Sequence, residues 1–165
     1  NCKSPYTLDN NLLNWSKETR DLGIIIDSKL TFNQHISSMV HKAHTRAKLI
    51  LRSFTSRDRS ILTKAFITYV RPLLEYCTPV WSPHNIGNIN KVESVQRRFT
   101  KSINGLSSLP YISRLYELSL ETLESRRLKQ DLVMCYKIIN GDVEIDPTSF
   151  FAFSTRPNCI TRGHI

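Results

Sequence analysis

Between Thr31 and Phe54 an apolar residue recurs at every third or fourth position: Ile36, Val40, Ala43, Ala47, Ile50 and Phe54. That spacing commits the stretch to a helix buried along one stripe of roughly 100° of arc. Thr31 or Asn33 is placed to cap its start. Upstream the pattern is different. Leu22-Gly23-Ile24-Ile25-Ile26 is β-branched and apolar, as in a half- or fully-buried strand. Tyr6-Thr7-Leu8 is β-prone and runs into turn chemistry at Asp9-Asn10-Asn11. Residues 1–29 therefore predict a short N-terminal β-hairpin, and the change of period near residue 30 predicts a helical bundle after it.

The bundle continues to about residue 141. A second helix is predicted from Asp58 toward Tyr76, with Leu62, Phe66, Tyr69, Leu73 and Cys77 on its apolar side and Pro72 set to kink or end it. Pro79 and Pro83 bracket Val80-Trp81 and predict irregular structure there. A third helix covers Asn88 to Ile103 on Ile89, Val92, Val95, Phe99 and Ile103, and Asn104-Gly105 stops it. Ser107 to Pro110 reads as a loop and Ser113 to Leu118 as a short helical turn. A fourth helix, Leu120 to Ile139, presents Leu128, Leu132, Cys135 and Ile139 as its core face, with Gly141 as its stop. Residues 142–165 read as an irregular tail. The fold class is mainly α, in a chain of 165 residues that suits one domain or a domain with an appendage.

Charge narrows the function. The formal net charge is +9, and a sustained positive field favours polyanions. No Asp or Glu occurs between Asp27 and Asp58, while Lys29, Lys42, Arg46, Lys48, Arg52 and Arg57 all fall in that gap. Solvated helices usually mix signs, so an acid-free face marks Lys42, Arg46, Lys48 and Arg52 as candidate phosphate contacts. Arg97, Arg98 and Lys101 on the third helix are the next candidates. Tyr69, Trp81 and Tyr111 have the chemistry to stack on bases, but each sits in an apolar pattern that favours packing.

Catalytic chemistry is not visible. Polymerase and nuclease sites need clustered carboxylates for divalent ions, and no two acids are adjacent here. Asp142, Glu144 and Asp146 lack the glycine and closing Glu of a calcium loop. His41 and His44 share a helical face without an evident third ligand, and read better as surface histidines beside a basic face. No phosphate-binding glycine loop or nucleophile motif occurs. No catalytic residue, metal site or cofactor is expected in this chain. The four cysteines, Cys2, Cys77, Cys135 and Cys159, have no metal-type spacing. Cys77 and Cys135 fall in apolar helical patterns where a thiol packs as a small hydrophobe. They fit a reduced intracellular compartment, the nucleus for a protein that handles nucleic acid. No targeting segment is visible and no apolar run is long enough to span a bilayer, so no membrane partner is expected. The chain opens mid-pattern on Asn1 and reads as a piece of a longer protein.

Four strings carry a family resemblance: Arg20-Asp21-Leu22-Gly23-Ile24-Ile25-Ile26-Asp27 with Lys29-Leu30-Thr31-Phe32, then VRPLLEYCTPVWSP from Val70, KVESVQRRFTKSINGL from Lys91, and the run from Leu109 to Ile145. In this order they resemble the segment after the palm of non-LTR retrotransposon reverse transcriptases of the jockey/CR1 type. The resemblance implies that residues 1–29 are a remnant of the palm edge and 30–141 a thumb-like domain. It implies that Leu22 and Gly23 match the turn that steadies the primer 3′ end, with template–primer duplex, RNA–DNA or DNA, as partner. The catalytic aspartates of that family sit in an Ala-Asp-Asp string that this chain lacks. The Mg²⁺ ions, the fingers and the palm would belong to the parent polymerase. The expected function is backbone-directed duplex binding without catalysis. The alternative is a helical protein-interaction module or a remnant without function.

Overall fold

Strands β3, Glu18–Asp21, and β4, Ile24–Asp27, pair antiparallel in the register Asp21 to Ile24 and Glu18 to Asp27. The two residues between them, Leu22 and Gly23, both have positive φ, 44° and 91°. That is the backbone a tight two-residue hairpin needs, and it puts Leu22, a branched residue, where glycine or asparagine is usual. Leu22 thus belongs to the turn and not to the strand, and it is 83% exposed. A smaller pair, β1 (Thr7–Leu8) and β2 (Asn11–Leu12), precedes it. The computed structural model describes residues 6–9 and 11–153. Cys2, Cys159, Asn10 of the first turn and residues 154–165 of the expected tail lie outside them.

Seven helices follow among the described residues, so the fold is mainly α. Helix α1 runs Asn33–Ser53 and buries Ile36, Met39, Ala43, Ala47 and Ile50. Neither Thr31 nor Asn33 caps it. The Asp27 carboxylate at the end of β4 accepts the N–H groups of Lys29, Thr31 and Phe32 at 2.9, 3.0 and 2.8 Å. One strand-end acid thus organises the turn from β4 into α1, as far as the N–H of Phe32 at the N-cap position. It also holds Leu30 and Phe32 in left-handed conformations.

The second predicted helix is two, and a further helical turn follows it. α2, Arg59–Tyr69, is capped by Asp58, which accepts from Ile61 N at 3.0 Å. α3, Arg71–Glu75, restarts with Pro72 in its first turn, where a missing N–H costs nothing. α4, Thr78–Trp81, is a single turn where irregular structure was expected. Tyr69 and Cys77 are exposed, and Val70, Leu74 and Ala65 are buried in their place. The break at Val70 rotates the later residues off the earlier stripe.

Helix α5, Ile86–Lys101, is capped by Asn85. α6 spans Tyr111–Glu117 and α7 spans Leu123–Ile139. Helix α7 departs most from expectation. Its buried residues are Leu123, Arg127 and Ile138, while Leu128, Leu132 and Ile139 are exposed. Their spacing is that of a packed face, but the side turned inward carries polar residues engaged with α3, α4 and α5. Of the tail, residues 142–153 are irregular except for a short 3-10 turn, Pro147–Ser149. No helix among the described residues is long and apolar enough to cross a membrane.

One core joins hairpin and helices: Ile24 clusters with Ile36, Leu62, Phe66, Leu74, Trp81, Val92, Phe99 and Leu123. Phe66 and Phe99 meet at 4.8 Å between ring centroids. Several buried polar residues are paired inside it. The Glu93 carboxylate accepts the Tyr111 hydroxyl and the Leu123 N–H, and Gln96 Nε2 donates to Tyr111 Oη at 3.0 Å and to the Glu121 carbonyl at 2.8 Å. Arg114 donates to Thr100 Oγ1, the Leu109 carbonyl and the Arg97 carbonyl, closing the C-terminal end of α5.

Candidate nucleic-acid interface

The four basic residues of α1 are all exposed, but they do not form one strip. Successive helical residues turn by about 100°. Lys42 and Arg46 therefore lie on one flank of the buried stripe, and Lys48 and Arg52 lie toward the other. The neighbours of α1 decide what each group faces. On the first flank are β4 and α3; on the second is α5.

Helices α1 and α5 run in the same direction. Asn88 Nδ2 donates to Asn33 Oδ1 at 2.7 Å near their starts, and His44 Nε2 meets Ser94 Oγ at 3.3 Å further along. This alignment brings Arg98 to the side of α1 that carries His44 and Lys48. Burial holds the His44 imidazole below its ordinary pKa, and the cationic Arg98, Lys48 and His41 lower it further. Every charged group among those causes is basic. Arg52 and Lys101 occupy the last turns of α1 and α5, where they also complement the helix dipoles. Arg97 is turned elsewhere: its guanidinium lies 5.0 Å from the Tyr111 ring centroid, on the α6 side.

Leu22 and Gly23 form the hairpin tip above α3. The Tyr76 hydroxyl donates to the Leu22 carbonyl at 3.1 Å, and a Cβ on Gly23 would sit 3.9 Å from the Tyr76 ring. Beside the tip is a cleft of about 300 Å³ with an apolar floor that includes Ile25, Met39 and Leu73, and a polar rim of Arg20, Lys42, Ser38, His35 and Tyr76. His35 is not a surface histidine. It is buried against Trp81, with ring centroids 5.4 Å apart, and its Nδ1 accepts the Ile25 N–H at 3.4 Å. Burial lowers its pKa, followed by Lys42 and Arg20, which favours the neutral ring. Sequence reasoning passed over Arg20 and Tyr76 as site residues. Both stand inside the family-like strings, so the signal was present; the fold was needed to see that residues 20, 42 and 76 share one cleft.

Two of the three aromatic candidates are internal. Trp81 is 1% exposed and donates through Nε1 to the Tyr76 carbonyl at 2.7 Å. Tyr111 is spent on Glu93 and Gln96, whereas Tyr69 is exposed. No group of three His, Cys, Asp or Glu side chains among the described residues is placed to hold a metal ion. Asp146 caps the 3-10 turn through Thr148 N at 3.0 Å.

Comparison with known proteins finds similar chains. Over 104 residues, 60% of this chain, it is 31% identical to an RNA-directed DNA polymerase from mobile element jockey of Drosophila funebris. Over 131 residues, 74% of the chain, it is 25% identical to a probable RNA-directed DNA polymerase from transposon BS of Drosophila melanogaster. The chain is similar to part of these transposon RNA-directed DNA polymerases. It spans only 11% and 14% of the length of those two polymerases. An uncharacterised protein of Caenorhabditis elegans is 27% identical over 138 residues, 82% of this chain and 69% of that protein. No family model and no solved structure matches.

Proposed function

We propose that this chain binds the sugar–phosphate backbone of a template–primer duplex, RNA–DNA or DNA, as part of an RNA-directed DNA polymerase. The observation that carries the reading is the α1–α5 seam, where His44 Nε2 of α1 meets Ser94 Oγ of α5 at 3.3 Å and exposed Lys48 and Arg98 both act on the His44 ring. Cations at the surface of two aligned helices release counterions from phosphates and read no sequence. The hairpin tip at Leu22 and Gly23 lies outside the seam, and its cleft with Arg20 and Lys42 is suited to a strand end. The described residues offer no carboxylate cluster that fits the magnesium ions of a polymerase. Nucleotidyl transfer would fall to the palm and fingers of the parent enzyme, and the place of work to the nucleus.

The test is a salt titration of binding to an RNA–DNA duplex. Wild type is compared with a seam variant, Lys48→Gln, Arg52→Gln, Arg98→Gln and Lys101→Gln combined, and with a cleft variant, Arg20→Gln with Lys42→Gln. Each phosphate left without its cation should flatten the slope of log K against log salt by about 0.9, so the slope for the seam variant should be shallower by about 3 to 4 units. Affinity should change little between duplexes of different sequence. An unaltered slope in the seam variant would remove the seam as the binding surface.

A further inference from the structure

Helix α7 exposes an apolar stripe that nothing in the chain covers among the described residues. Leu128, Leu132 and Ile139 are 60%, 61% and 49% exposed, and Cys135 is half-buried beside them. Their spacing of four, three and four residues is the seam of a helix that packs against another helix. A stripe of that kind on a soluble surface marks an interaction site. The opposite side of α7 is already engaged, through Arg126 on Glu75 and Gln130 with Thr78.

We infer that the stripe seats the same stripe of a second copy of this chain, with the two α7 helices parallel. Charge selects the occupant and the direction. Glu124 and Asp131 flank the stripe on one side, and Lys129 and Tyr136 on the other. In a parallel pair, a flanking residue meets the residue five positions later on its partner. Glu124 then faces Lys129 of the second copy, and Asp131 faces the Tyr136 hydroxyl. An antiparallel pair sets the acidic flank against itself. Lys129 now bridges Glu121 at 2.6 Å in an exposed pair, which is exchanged at little cost. The parallel register also places Cys135 across from Cys135 of the second copy.

The experiment is sedimentation equilibrium of the full chain without nucleic acid, from micromolar to near-millimolar concentration. The expected result is a concentration-dependent doubling of mass. Leu132→Glu, at an exposed position, should abolish it and leave the circular dichroism unchanged. Glu124→Lys should weaken association, and adding Lys129→Glu should restore it. In a background with Cys2, Cys77 and Cys159 each replaced by Ser, mild oxidation should yield a covalent dimer that Cys135→Ser prevents. A chain that stays monomeric throughout overturns the proposal, as does a dimer indifferent to Leu132→Glu. Failure of Cys135 to cross-link overturns the parallel register. Each readout is independent of duplex binding.

Discussion

Arg126 and Glu75 meet at two points, Nε to Oε1 at 2.5 Å and Nη2 to Oε2 at 3.1 Å, and so fasten α7 to the end of α3. Arg71 approaches the same carboxylate at 3.8 Å. The pair is partly buried, and its two parallel hydrogen bonds need a planar fork that lysine lacks. Arg126→Lys should therefore cost about 1 to 2 kcal/mol in chemical denaturation. A curve superimposable on wild type would show that the contact holds nothing.

Burial decides what aromatic truncation costs. Phe66 is fully buried and stacked near Phe99, whereas Phe54 at the end of α1 is only partly buried. Phe66→Ala should lose about 3 to 5 kcal/mol. Phe54→Ala should lose markedly less, because part of its surface already meets water. Thermal melts of the two variants give the order directly, and a reversed order would contradict the core described above.

Two groups should shape acid sensitivity, in separate pH windows. Burial is the largest single influence on the Asp27 carboxyl and raises it, but the hydrogen bonds from Thr31, Lys29 and Phe32 together outweigh it and hold the group below its ordinary range. A depressed carboxyl contributes stability above its unfolded pKa that is lost as pH falls through the folded value. The His35 imidazole is also depressed, by burial and then by Lys42 and Arg20. It favours the fold while neutral and opposes it as pH drops below about 6.5. Melting temperature followed from neutral pH downward should fall in both windows. His35→Phe should remove the upper one, and Asp27→Asn the lower. Profiles unchanged by either variant would remove these groups from the account.

Two buried arginines should respond in opposite ways. Arg114 makes hydrogen bonds to two carbonyls and a hydroxyl. The terminal nitrogens of Arg127 find no acceptor. Arg114→Met strands buried acceptors and should cost about 3 kcal/mol. Arg127→Met exchanges a buried guanidinium whose terminal nitrogens make no hydrogen bond for an apolar chain of similar length. It should stay within about 1 kcal/mol of wild type or exceed it. Equal losses in urea unfolding would mean that Arg127 has a partner in solution.

Much of the fold was legible where a local rule and tertiary packing agree. The stripe of α1 was readable from spacing because the helix has one dry side. The restart at Pro72 was readable from the chemistry of proline. Helix α7 was misread because its inward face is polar: Arg127, Gln130 and Arg126 lie against other elements, and periodicity cannot see what a polar residue lies against. The same blindness hid the place of His35, which β4 and Trp81 close over. For the site, exposure of Lys42, Arg46, Lys48 and Arg52 followed from the helical wheel. That Lys42 lines a cleft while Lys48 and Arg52 lie toward a seam required knowing that α5 lies alongside α1. The family-like strings also look different in three dimensions. Glu93, Gln96 and Thr100 in one of them, and Arg127 in another, lie in the interior.

Strands as short as β3 and β4, four residues each, make an arm that would sway if left to itself. This arm is clamped at both ends. Asp27 ties its root to the start of α1, and the Tyr76 hydroxyl grips its tip at the Leu22 carbonyl. A push on the tip is borne by the helical body and not absorbed by bending. Whatever rests against Leu22 and Gly23 rests on a bracket bolted to the frame.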